Sequence, residues 1–132
     1  MIDIPKHFFD VAYNGSRFPG APDAIGLDGG ANCQHFSYEL LRYFGKMVPN
    51  LRSKEIWEDE EYTEKVDTLE PLDIVLFNKN IDAWGAHMGV YLGDGNVIHL
   101  SKVVGYPVIW PLEQFRDVAQ YAVFIGAKRI KN

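Results

Sequence analysis

One cysteine in 132 residues excludes an intramolecular disulfide and any metal cage or redox centre built from several thiols. No apolar run approaches the roughly 20 residues of a membrane-spanning helix. The first residues, Met1-Ile-Asp-Ile-Pro-Lys-His7, have neither the basic start nor the apolar stretch of a secretory leader. Positive charge is also scarce: 13 Lys and Arg face 18 Asp and Glu, a net charge of -5, so no basic stripe exists for a nucleic acid to follow. The acidic run Glu58-Asp59-Glu60-Glu61 reads as a solvated element end. Internal repeats and low-complexity tracts are missing too, and 47% apolar residues over this length fit one domain, residues 1–132, with its own core. The expectation is a chain with a cytoplasmic address, or one exported by another route; its oligomeric state is open.

What is present falls into helices first and strands later. Residues 5–13 read as a short helix, with Pro5 in its first turn and Phe8, Phe9 and Ala12 apolar. Residues 16–31 are rich in Gly, Pro and Asp and predict a long loop, a place where small domains often keep function. From Asn32 the spacing of Cys33, Phe36, Leu40, Leu41 and Phe44 is one face of a 3.6-residue period, with Asn32 a suitable cap and Gly45 a suitable stop. A helical turn is expected at 53–57. Then the period changes. Residues 73–78, 87–92, 96–101, 107–110 and 119–127 are β-branched or aromatic runs bounded by Gly, Pro and Asn, which predicts an α+β fold with an antiparallel sheet of about five strands packed against the cysteine helix.

Chemistry concentrates at Cys33 and two histidines. A free thiol has a pKa of about 8.5, and a helix N-terminus lowers it, so Cys33 stands where a nucleophile is activated. Its alkylation is expected to follow a pH profile displaced below that of a free thiol. An isolated buried cysteine would more often be inert packing; the histidines change that balance. His87 opens a strand and shares its face with Gly89, whose missing side chain leaves room for a helix end or a substrate. His99, among Val97, Ile98 and Leu100, is either a satisfied core residue or an orienter of His87. A two-residue Asp94-Gly95 turn sends the two histidines to opposite faces, so a joint role requires a turn centred on Gly93 or a bulge. His35 is rotated away from the sulfur and reads as surface or flank, and His7 has no evident partner. No histidine pair has i,i+4 spacing, so no metal or cofactor is expected. The segment Leu92-Gly-Asp-Gly-Asn96 lacks the lysine of a phosphate loop and reads as a hairpin turn.

The order of these segments resembles the NlpC family of cysteine peptidases, relatives of the papain-like fold that cleave peptide stems of bacterial peptidoglycan. A Cys at a helix start is followed by Asp73-Ile-Val-Leu-Phe77, then His87-Met-Gly-Val-Tyr-Leu-Gly-Asp-Gly95 with Ile98-His99 after it. The resemblance runs from Tyr13 to Arg129. It implies Cys33 as nucleophile, His87 as base and His99 as the polar third member, with Tyr13 at the oxyanion site. The family usually reads Asp-Cys-Ser-Gly where this chain has Asn32-Cys33-Gln34-His35, which places Gln34 at the substrate pocket and leaves stem specificity open. Asn-Cys-Gln-His-Phe is also similar to the Asn-Cys-Glu-His-Phe of lecithin:retinol acyltransferase-like proteins, in which the histidines precede the cysteine.

The resulting expectation is a thiol hydrolase that cleaves an amide of a peptidoglycan stem peptide, with Trp84, Tyr13 and Phe18 along a groove between the 16–31 loop and the Trp84 loop. A peptide or peptidoglycan fragment is the expected partner. A thiol acyltransferase of related fold and a catalytically inactive binding module are the alternatives. Alkylation of Cys33 and hydrolysis of muropeptides separate the three.

Overall fold

Asn32 starts the helix that carries the cysteine, because its side chain accepts the backbone N–H of His35 at 2.8 Å. That satisfies a donor with no partner inside the helix. The computed structural model describes all residues, 1–132, and in it this helix, α1, spans Cys33–Tyr43. It ends at Gly45, whose φ of 82° is open to a residue without Cβ, as the N–H groups of Gly45 and Lys46 turn back to Arg42 and Leu41. Phe36, Leu40 and Leu41 form the buried stripe expected from their spacing.

That stripe lies on one antiparallel sheet. The strands are β1 (Thr63–Val66), β2 (Ile74–Asn78), β3 (His87–Gly93), β4 (Asn96–Leu100), β5 (Pro107–Pro111) and β6 (Val123–Ile130), in the order β1-β6-β2-β3-β4-β5. On the α1 side Ile74, Leu76, Met88, Val90, Leu92 and Ile98 join the helix in the main core. The other side is covered too: Val75, Phe77, Val97 and Ala127 pack with Phe115 and Tyr121, which arrive on 3-10 turns at Leu112–Asp117 and Ala119–Tyr121. The sheet is therefore buried on both faces, which is why β2 reads as an unbroken apolar run.

The architecture is the α+β arrangement anticipated, with three differences. The sheet has six strands, because the edge strand Thr63-Glu-Lys-Val66 exposes its two central charges and is too short to show alternation. Residues 119–121 form a 3-10 turn, so the last strand begins at Val123. The N-terminal helix is a 3-10 turn over Lys6–Asp10. No helix is long and apolar enough to cross a membrane.

A second short helix, α2 (Ser53–Glu58), is fastened to the sheet rim. Trp57 lies over Gly126, where a Cβ would stand 2.5 Å from the indole Cη2, so only glycine admits the ring. Buried Lys128 donates its ammonium to the carbonyls of Trp57 and Asp59, acceptors at the end of α2 that have no partner within the helix. These contacts hold α2 as one wall of the cleft described next.

Candidate active site

Helix α1 packs across β3 and β4, which brings its first residue to the start of β3. Cys33 is a free, half-buried thiol there. Burial pushes the thiol up from its ordinary value, against the backbone N–H groups of Met88 and Gln34 and the charge of Arg52, all of which favour the thiolate. The depressed thiol expected from the helix end is therefore corrected: desolvation outweighs the helix end. With His87 held well below the ordinary imidazole range by burial, and further by His99, the resting groups are a neutral thiol and a neutral ring.

The two histidines meet through a register shift. Asp94 and Gly95, at φ of 54° and 79°, make a two-residue turn that pairs Gly93 with Asn96. That register alone would put His87 and His99 on opposite faces. A bulge between Tyr91 and Gly93 changes the pairing to Tyr91 with Val97 and Val90 with Ile98, which returns both histidines to one face. His87 Nε2 and His99 Nδ1 are 2.8 Å apart. The hydrogen bond of the His87 ring runs to His99 and not to Cys33. Tyr121 stacks on His87 with ring centroids 4.1 Å apart and planes at 16°, and Ser101 bonds the Tyr121 hydroxyl at 2.7 Å. Burial lowers His99 to about 3.

The face they share is the one away from α1. Gly89 consequently does not make space for the helix end. It lies opposite His99, where a Cβ would sit 2.6 Å from Val97 Cγ1 and 3.3 Å from His99 Cβ, so its missing side chain admits the neighbouring strand's side chains. Nor is His35 a surface residue. It is 4% exposed and its Nε2 meets the Gly26 carbonyl at 2.6 Å, tying the 16–31 loop to α1.

Two adjoining cavities flank the cysteine and the histidine. The larger, about 610 Å³, is bounded by Tyr13, Cys33, Gln34 and Trp84 on one side and by Arg52, Glu55 and Glu58 of the α2 segment on the other. The smaller, about 370 Å³, reaches His87 and Tyr121 past Asn78 and Gln120. Trp84 and Gly85 border both. Trp84 is 73% exposed, whereas Gln34 is buried and accepts Arg52 Nε at 2.9 Å. The far wall of the groove is therefore α2 and not the 16–31 loop, and Phe18 lies under the Arg52 guanidinium, 4.7 Å from it. Sequence reading missed Arg52, Glu55 and Glu58. Their one local signal was the spacing of Arg52 and Glu55, whose carboxylate accepts the Arg52 N–H at 2.8 Å. Tyr13, half-buried, has its phenol raised by burial and then by Cys33, so it stays a donor. No group of three His, Cys, Asp or Glu is placed to hold a metal.

Iodoacetamide should alkylate Cys33 with a rate that rises through a midpoint above about 8.5, the value of a free thiol. Measuring the rate against pH tests this. A midpoint below the free-thiol value would mean that the helix N-terminus prevails over burial.

No family model and no curated protein matches the chain. Solved structures do, and they define the fold class as NlpC/P60. An NlpC/P60 family protein from Bacillus cereus superposes with a TM-score of 0.60 at 25% identity, over 78% of this chain and 32% of that one. The peptidoglycan hydrolase RipB from Mycobacterium tuberculosis gives 0.60 at 18% identity, over 96% of this chain and 61% of that one. The NlpC/p60 domain of the peptidoglycan hydrolase SagA gives 0.52 at 17%, over 77% and 79%. The chain thus spans about a third of the Bacillus cereus protein and has the fold its motifs resemble.

Proposed function

We propose that this chain is a cysteine hydrolase of the cell-wall type that cleaves an amide in a peptidoglycan stem peptide. The observation that carries the reading is the His87–His99 pair, joined at 2.8 Å, at the start of the strand whose Met88 N–H reaches the Cys33 thiol. The likeness to NlpC/P60 structures supports the choice of substrate.

Cys33 gives its proton to His87 and its sulfur attacks the amide carbonyl carbon. The carbonyl oxygen takes up the electron pair and is held by the Cys33 backbone N–H, with Tyr13 as a second donor lining the same cavity. Collapse of this intermediate breaks the C–N bond, and His87 passes the proton to the departing amine. Water then attacks the thioester, giving its proton to His87 as the acid product forms and the thiol is restored. Because His87 lines the smaller cavity, the amine half of the substrate belongs there, and the acyl half lies along Gln34, Arg52 and Trp84.

Purified protein incubated with muropeptides and with acyl esters, with products read by mass, tests the reading. The expected result is amide cleavage that disappears in Cys33→Ala. Acyl transfer without cleavage would replace the reading with the acyltransferase, and binding without turnover would replace it with the inactive module.

A further inference from the structure

One buried side-chain nitrogen in the molecule has no hydrogen-bond partner: His99 Nε2. A buried polar atom left alone calls for an account, and the surroundings supply one. The imidazole is fully buried, with its Nδ1 turned to His87. Around it stand Trp110, 4.4 Å away between centroids at 67°, and Phe115, 4.6 Å away at 48°. The Tyr121 hydroxyl, on a ring 6.2 Å from His99 between centroids, is engaged by Ser101.

We propose that Trp110 and Phe115 are positioning residues that set the proton arrangement of the histidine pair. Packed against the His99 ring and offering Nε2 no hydrogen-bond donor, they keep its single proton on Nε2 and its Nδ1 bare. A neutral imidazole carries one proton, and its two placements here are not equivalent. An N–H directed at an aromatic face meets the negative side of the ring quadrupole and is attracted. A lone pair directed there is repelled and also unpaired. With Nδ1 of His99 an acceptor, the 2.8 Å bond must be donated by His87 Nε2–H. The proton of neutral His87 is then on Nε2, and its Nδ1 is the free lone pair that can take a proton from a thiol. The opposite arrangement would place the His87 proton on Nδ1 and leave no base. Burial, which keeps His99 uncharged down to about pH 3, is consistent with a ring that serves only as an acceptor.

This inference rests on the reading of His87 as the base, but its test needs no substrate. Long-range proton–nitrogen spectra of ¹⁵N-histidine-labelled protein at neutral pH should show His99 and His87 both protonated at Nε2 and bare at Nδ1. His99 protonated at Nδ1 would overturn the proposal outright. Phe115→Leu removes one aromatic face and should raise the minor His99 form roughly three-fold relative to the major one. Phe115→Tyr keeps the face and should leave the ratio as it is. An unchanged ratio in the folded leucine variant would remove Phe115 from the role and overturn the proposal as stated. If the spectra agree and Cys33→Ala still cleaves muropeptides, the functional reading fails while the proton arrangement stands.

Discussion

His87→Ala should lower turnover by about a hundred to ten thousand fold, whereas His99→Asn should retain a substantial part of it. In the proposed mechanism the two residues do different work. His87 moves the proton in both halves of the proposed reaction, and the neighbouring Tyr121 hydroxyl is engaged by Ser101. His99, in the same proposed mechanism, transfers no proton to substrate; it is the hydrogen-bond partner of His87 and fixes the plane of that ring. An asparagine amide at position 99 can direct its oxygen to His87 and so keep an acceptor for that ring. Single-turnover rates for wild type, His87→Ala and His99→Asn at one pH decide between these roles. If His99→Asn were as inactive as His87→Ala, His99 would have to be moved into the proton transfer itself.

Acid should unfold this protein earlier than its carboxylates require. His99 has an ordinary value of 6.5 and is lowered to about 3 by burial, and His87 is lowered by burial and by His99. The unfolded chain therefore binds protons that the folded one refuses. Stability is at its full value above about pH 6.5 and declines as pH falls toward the folded-state values, by about 1.4 kcal/mol per pH unit for each such group. The window between about 6.5 and 4 is informative because the depressed carboxylates, Asp59 and Asp94, start from an ordinary value of 3.8 and act below it. Urea unfolding from pH 7 to pH 4 should show a declining free energy, and His99→Asn should reduce the slope by about one proton. The variant also loses packing at every pH, so the slope and not the absolute stability is the readout. Equal slopes in the two proteins would mean that His99 titrates near its ordinary value in the folded state.

Local pattern made much of this fold legible. The Asn32 cap, the apolar spacing to Phe44 and the Gly45 stop are decided within one helix, and β2 to β4 show their buried runs directly. Thr63–Val66 was not legible, because an edge strand pairs through its backbone and leaves Glu64 and Lys65 in solvent. The site divided in the same way. Position at a helix start marked Cys33, but the direction of its pKa depends on burial by segments far along the chain. Arg52, Glu55 and Glu58 became part of the groove only through α2 docking, which depends on Trp57 meeting Gly126 and Lys128 meeting the α2 carbonyls. Such contacts join positions about 70 residues apart, beyond any periodicity.

The bulge beside Gly93 gives the β3–β4 hairpin a parity. The count of residues between His87 and His99 determines whether their rings face each other or point to opposite sides of the sheet, and one residue more or less exchanges the two outcomes. Side chains in this stretch can therefore vary as packing permits, while its length cannot change by an odd number unless a compensating irregularity arises elsewhere in the hairpin. Insertions or deletions of a single residue act here as a switch on the whole constellation, and the tolerance usual for a surface turn does not extend to this one.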